Sequence, residues 1–296
     1  CLLYFIAKFK MPTTAETMTA IFTGLYSTLI FLHTFLTREK KTPAQRGGSF
    51  LPPETNASKR AAELFALYYS PCWIVAVGIV IALQSFEQWK EWEYMYFCLA
   101  CSLPCVLLPL VKPFKADVGT PIAQRYMTKF NLWIAIFSFI GNYWYTHYFY
   151  RILRADYTFP AHRLNDVPIC LYFMTHAYFV FYHVLSNMAL RYVKTAYVPG
   201  RARSLFITAL VVVMAYTTAF MESLTICGFP YYKFEDVHMA YTVGSAFYAI
   251  YFLASFPMFL RVDEDVDKKF TLYQTAAEAL AAGMLVLCAL DFVRLF

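Results

Sequence analysis

Apolar residues in this chain come in runs of about twenty, the length at which a helix rising 1.5 Å per residue crosses a bilayer core. Such runs cover 64–83, 93–111, 130–150, 168–190, 204–226, 239–260 and 274–296. An eighth, 19–36, is broken by His33 and by several Thr and Ser residues and is the weakest. The connections are short and rich in Pro, Gly and charge, as loops are. No alternation of polar and apolar positions over about ten residues suggests barrel strands. The pattern predicts an all-α, polytopic transmembrane helical bundle of about seven core spans plus a possible extra N-terminal span. Residues 1–52 form an N-terminal extension holding the weak span 19–36, and residues 53–296 form the multi-span domain. A signal-anchor, a targeting extension and a translated leader all fit the composition of the extension.

Composition rules out a soluble reading. Hydrophobic residues make up 60% and charged residues 15%, against roughly 45–50% and 25% in soluble domains. The net charge of +6 is spread over loops, which argues against a nucleic-acid face. Its distribution sets a topology. Loops 37–63, 112–129, 191–203 and 261–273 share one side and carry 17 basic residues, whereas the other side carries six. By the positive-inside rule the basic loops are cytoplasmic, and the sequon Asn56-Ala57-Ser58 faces the cytosol. The eight cysteines sit mostly in apolar runs. Cys98, Cys101 and Cys105 share a helix face and read as small membrane-helix residues; no metal site is expected.

Ionisable groups inside spans are functional suspects. His147 lies near the end of 130–150. His176, His183 and Asn187 form one stripe on 168–190, Glu222 lies in 204–226, and Asp291 lies in the last span beside Arg294. Alternating directions place His147, His176, Glu222 and Asp291 in the luminal third, so these groups are expected to converge on one site. No Walker loop, dinucleotide glycine fingerprint, Gly-x-Ser-x-Gly elbow or His-Glu-x-x-His is present. The residues alone leave three classes open: an enzyme acting on a lipid, a proton-coupled transporter and a ligand-binding membrane protein.

Longer motifs narrow the choice. The stretch Asn131–Phe149, with Asn142-Tyr143-Trp144-Tyr145-Thr146-His147, resembles the cycloeucalenol cycloisomerase (cyclopropyl sterol isomerase) family. So do Tyr157-Thr-Phe-Pro160, Asn165-Asp-Val-Pro168, Thr175-His176, Phe181-Tyr-His-Val184, Phe229-Pro-Tyr-Tyr232 and Phe247-Tyr-Ala-Ile-Tyr-Phe252. The resemblance runs in collinear order over about 53–296; residues 1–52 have no counterpart in it.

The resemblance implies opening of a 9β,19-cyclopropane ring, which turns cycloeucalenol-type sterols into obtusifoliol-type Δ8 sterols. A proton is added at C19 and one is lost from C8, with no redox change and no cofactor. It further implies a sterol substrate, a multi-pass endoplasmic reticulum location and other sterol-synthesis enzymes as neighbours. On this reading Glu222, His176 and His147 are the candidate proton-transfer residues. Glu222 is the acid and a histidine the base, or the reverse. Asn142, Tyr143, Trp144, Tyr178, Tyr182, His183, Asn187, Tyr231 and Tyr232 are candidate sterol contacts, with Asn142 or the Phe229–Tyr232 loop holding the 3-hydroxyl. The rival readings are a double-bond-shifting sterol isomerase, a non-catalytic sterol-binding membrane protein and a proton-coupled transporter.

Overall fold

A computed structural model describes residues 13–39, 48–146 and 148–295. Lys40, Lys41 and Arg46 of the first basic loop, and His147, lie outside the described residues. Eight long helices follow one another: α1 (Thr14–His33), α2 (Ala57–Ala82), α3 (Glu91–Val111), α4 (Tyr126–Trp144), α5 (Ile169–Ala196), α6 (Arg201–Cys227), α7 (Ser245–Arg261) and α8 (Leu272–Val293). Among the described residues, seven helical segments are long and apolar enough to cross a membrane, α1 included. The helix that falls short is α4. It carries Lys129, Asn131 and Asn142, yet it is the centre of the bundle.

The reason is where its side chains go. Phe130, Trp133, Ile134 and Phe137 of α4 are wholly buried. They pack against Phe179 and His183 of α5 and Phe259 of α7. A helix wrapped by others need not be apolar enough for lipid. Gly283 of α8 makes close approach possible, because a Cβ there would lie 2.8 Å from Ile140 Cδ1. The helix stops at Trp144, short of the expected 150. The Tyr145 hydroxyl donates to Gly283 O, and the chain turns through a π-turn over Tyr148–Ile152. α1 starts on a capping box, with Thr13 N–H donating to Glu16 Oε2 at 2.7 Å. It lies along α6, where Phe22 packs on Tyr216 and Phe220.

The four basic loops meet at one end of the bundle. Arg38 bridges Tyr197, Lys59 pairs with Glu264 at 2.9 Å, and Lys129 pairs with Asp263 at 2.7 Å. Arg191 donates to both Glu63 and Glu264. Asn56 is held on both sides of its amide, donating to Asp263 O and accepting from Lys269 Nζ.

Short strands cap the opposite end. β1 (Ala155–Tyr157) pairs antiparallel with β4 (Tyr232–Phe234), with Tyr157 opposite Tyr232. β2 (Arg163–Leu164) and β3 (Val167–Pro168) form a hairpin. Its turn residues Asn165 and Asp166 have φ of 52° and 61°, the left-handed pair that a two-residue hairpin turn needs and that Asn and Asp tolerate.

Candidate functional site

Two cavities lie back to back on either side of the α4–α5 contact. The smaller, about 120 Å³, is walled by Tyr145, Tyr148, Tyr157, Tyr178, Tyr232, Tyr248 and Tyr251, and Glu222 looks into it. β1, β4 and the turn after α4 roof it through Tyr157, Tyr232 and Phe149. Glu222 is partly buried as a residue. Its Oε1 accepts from the Tyr248 hydroxyl at 2.9 Å, while Oε2 is buried and within hydrogen-bond distance of no donor among the described residues. Tyr182 lies beside the same carboxyl.

The larger cavity is an apolar groove of about 610 Å³ between α3, α4 and α5. Its rim residues Leu103, Leu110, Phe139 and Leu164 are exposed, so the groove opens sideways, toward lipid. His176 stands in its wall. The His176 ring is fixed by Asn131, whose Oδ1 lies 2.9 Å from Nε2. The Asn131 amide donates its Nδ2 hydrogens to Cys105 O and Met127 O, so its oxygen must face the imidazole. That makes Nε2 the N–H atom and leaves Nδ1 as the basic one.

The expected convergence is therefore split. His176 and Glu222 face different cavities. Between them, Asn142 donates to Ser138 O and to Thr175 Oγ1, which seals the wall. Asn142, Tyr178 and Tyr232 line the Glu222 cavity, and Tyr182 adjoins it. Tyr143 stacks on Phe139, Trp144 is exposed, and Tyr231 packs on Phe86 and Phe229; these three line neither cavity.

His183 is fully buried in the aromatic core and lines neither cavity. Its Nδ1 donates to Phe179 O at 2.8 Å, and its ring lies among Trp133, Phe256 and Phe259. Asn187 serves the ionic network at the basic end, donating to Glu63 Oε1 at 3.0 Å. Asp291 is exposed. Reading the sequence also passed over residues that matter here. Asn131 carried a signal, as an amide inside a span. Tyr248 and Tyr251, one turn apart on α7, stand in the motif Phe247–Phe252, and nothing in that motif sets them apart as site residues.

Several sulfurs gather on one side. Cys98, Cys101, Cys105 and Cys170 are buried, in helix faces that pack α3 against α5. Among the described residues no group of three His, Cys, Asp or Glu could hold a metal ion.

Comparison with known proteins agrees with the motifs. No family model matches the chain, and no solved structure matches it. A curated relative does: the cycloeucalenol cycloisomerase of Arabidopsis thaliana is 43% identical over 244 residues, covering 81% of this chain and 87% of the relative. With that identity over most of both lengths, the chain belongs to the cycloeucalenol cycloisomerase family.

Proposed function

We propose that this chain is a membrane isomerase that opens the 9β,19-cyclopropane ring of cycloeucalenol-type sterols without a cofactor, giving the Δ8 product. The observation that carries the reading, beside family membership, is the lateral groove. Its volume of about 610 Å³ falls within the roughly 300–1,000 Å³ of ligand pockets, its walls are apolar, and a histidine stands in it. The 120 Å³ cavity is too small for a sterol.

In this reading the sterol lies in the groove with its β face toward α5. His176, as imidazolium, donates the Nδ1 proton to C19. The C9–C19 bond breaks, C19 becomes a methyl group, and a cation is left at C9. Neutral Nδ1 then takes the C8 proton and the C8–C9 double bond forms. The bridge and the C8 hydrogen share the β face, so one nitrogen serves both transfers and is restored at the end. Asn131 holds the ring through Nε2. Phe139, Tyr172 and Phe173 bring aromatic faces to the cation.

A second reading gives the acid role to Glu222. It is favoured by the buried, unpartnered Oε2 and by seven surrounding tyrosines, and it requires the α4–α5 wall to open.

One assay separates them. Cycloeucalenol is fed to the chain expressed in a sterol-synthesising host, and obtusifoliol is measured by mass spectrometry. His176→Ala is expected to lower conversion about 100-fold or more, the scale of a lost general acid. Glu222→Gln is expected to change it little. The opposite pattern moves the acid to Glu222, and full activity in both variants at normal protein level sinks both assignments. Failure of the unaltered chain to convert the sterol sinks the isomerase reading. We further propose an endoplasmic reticulum location, with the basic loops cytoplasmic and other sterol-synthesis enzymes in the same membrane.

A further inference from the structure

The end of the groove nearest the basic loops holds a group that the proton transfers leave unused. Asp117 closes the short turn Lys115–Asp117 beyond α3. It is 2% exposed and lines the groove. Its main chain is fixed, the N–H donating to Phe114 O at 2.8 Å and the carbonyl accepting from Thr120 N–H at 3.0 Å. Its side-chain Oδ1, by contrast, is buried and accepts no hydrogen bond from the described residues. Asp117 joins none of the ion pairs among the described residues. The guanidinium in the lining, Arg125, is turned to Thr120 O through Nε at 2.9 Å. A buried acceptor without a donor is costly, so a ligand that brings a donor favours a turn of this carboxyl into the groove that Asp117 already lines.

The shape of the groove says what kind of ligand. Its lining on α4 runs from Arg125 to Phe139, about 21 Å of helix, long enough for four fused rings and a branched tail. The carboxylate and the guanidinium, Asp117 and Arg125, sit at one end, and the lining beyond them is mostly apolar, interrupted by Asn131, Ser138 and His176. A carboxyl oxygen repels phosphate and carboxylate headgroups and accepts from a hydroxyl. A long, flat, apolar molecule with one terminal hydroxyl answers all of these conditions.

We propose that Asp117 Oδ1 accepts the hydrogen bond of the sterol 3β-hydroxyl and so fixes the direction and depth at which the sterol lies in the groove. This rests on the sterol reading of the groove given above. It places the hydroxyl at the basic-loop end and not at Asn142 or the Phe229–Tyr232 loop. It also carries the reacting carbons, two rings inward, toward the level of Asn131 and His176. Asp117 is then a positioning and specificity residue that touches no reacting atom.

The test is equilibrium binding of radiolabelled cycloeucalenol and of its 3-O-methyl ether to the purified full chain in lipid nanodiscs. The ether keeps the shape and loses the donor. The unaltered chain is expected to prefer the alcohol on the order of 10- to 100-fold, the worth of a hydrogen bond to a buried charged or polar acceptor. Asp117→Ala is expected to bring the two ligands within about threefold of each other, and Asp117→Asn, which keeps an acceptor oxygen, to retain part of the preference. Equal binding of both ligands by the unaltered chain overturns the proposal without any variant, and so does a preference that survives in Asp117→Ala. Conversion measured on the same samples keeps the two readings apart. Preference without conversion removes the isomerase reading and leaves the anchor, whereas conversion without preference removes the anchor alone.

Discussion

Arg191 holds its end of the molecule by a fork between two carboxylates. Its Nη atoms lie 2.8 Å from each oxygen of Glu63, and Nε lies 2.7 Å from Glu264. Glu63 is fully buried, so Glu63→Ala takes one of its two carboxylates from the buried Arg191 cation and leaves Asn187 Nδ2 without its acceptor. It is expected to cost about 3–5 kcal/mol, read as a lower melting temperature in detergent. Glu264 lies in the loop between α7 and α8. Burial alone would push its carboxyl up, but Arg191 and Lys59 outweigh burial and hold it at about 2. A depressed carboxyl contributes stability above its unfolded value, near 4.3, and loses it as pH falls toward the folded one. Melting temperature is therefore expected to drop between about pH 4 and 2, and Glu264→Gln should lack that part of the drop. At this scale the sequence was half legible. Polar residues inside apolar runs announced Glu222, His176 and Asn187, because lipid tolerates them only with partners. Which partner each would find was not legible. Helical phase put His176, His183 and Asn187 on one stripe, but α5 crosses three different environments: the groove, the aromatic core and the ionic network. Asp117 gave no signal, since an aspartate in a polar loop looks solvated.

At the scale of elements, the helices were readable because a run of twenty apolar residues admits few other structures in lipid. Their ends were less so. α4 was expected to reach 150 but stops at Trp144, and tyrosine side chains from the turn tie back to α8 and to Gly244, just before α7. That tie is a long-range contact which no local pattern encodes. The α4–α8 contact itself turns on Gly283. Gly283→Val is expected to destabilise by about 1–3 kcal/mol through overpacking against Ile140. The same substitution at Gly78, where a Cβ meets nothing within 4 Å, is the control, and both are measured by thermal melting.

For the whole molecule, the charge of the loops foretold which of them share an end, and Lys59, Lys129, Arg191 and Arg38 all meet their partners there. The sequon at Asn56 is closed by structure, whichever side of the membrane it faces. Asn56 is 2% exposed and both ends of its amide are engaged. Asn56 is expected to stay unmodified in a eukaryotic host, while a sequon placed at the exposed residues 162–164 of the opposite cap should be glycosylated. An endoglycosidase gel shift checks both, and the reverse pattern would invert the orientation. What charge and hydropathy could not foresee was that the two polar centres of the bundle would be walled apart.

The place of α4 bears on how the protein is made. It is the long helix that falls short of the apolarity of the seven candidate spans, with Lys129 and Asn131 near its start. Such a segment gains less from lipid than its neighbours do, so its place in the bundle rests on its contacts with α5, α7 and α8. The groove wall and the His176–Asn131 pair are therefore complete only once α5 has packed on α4.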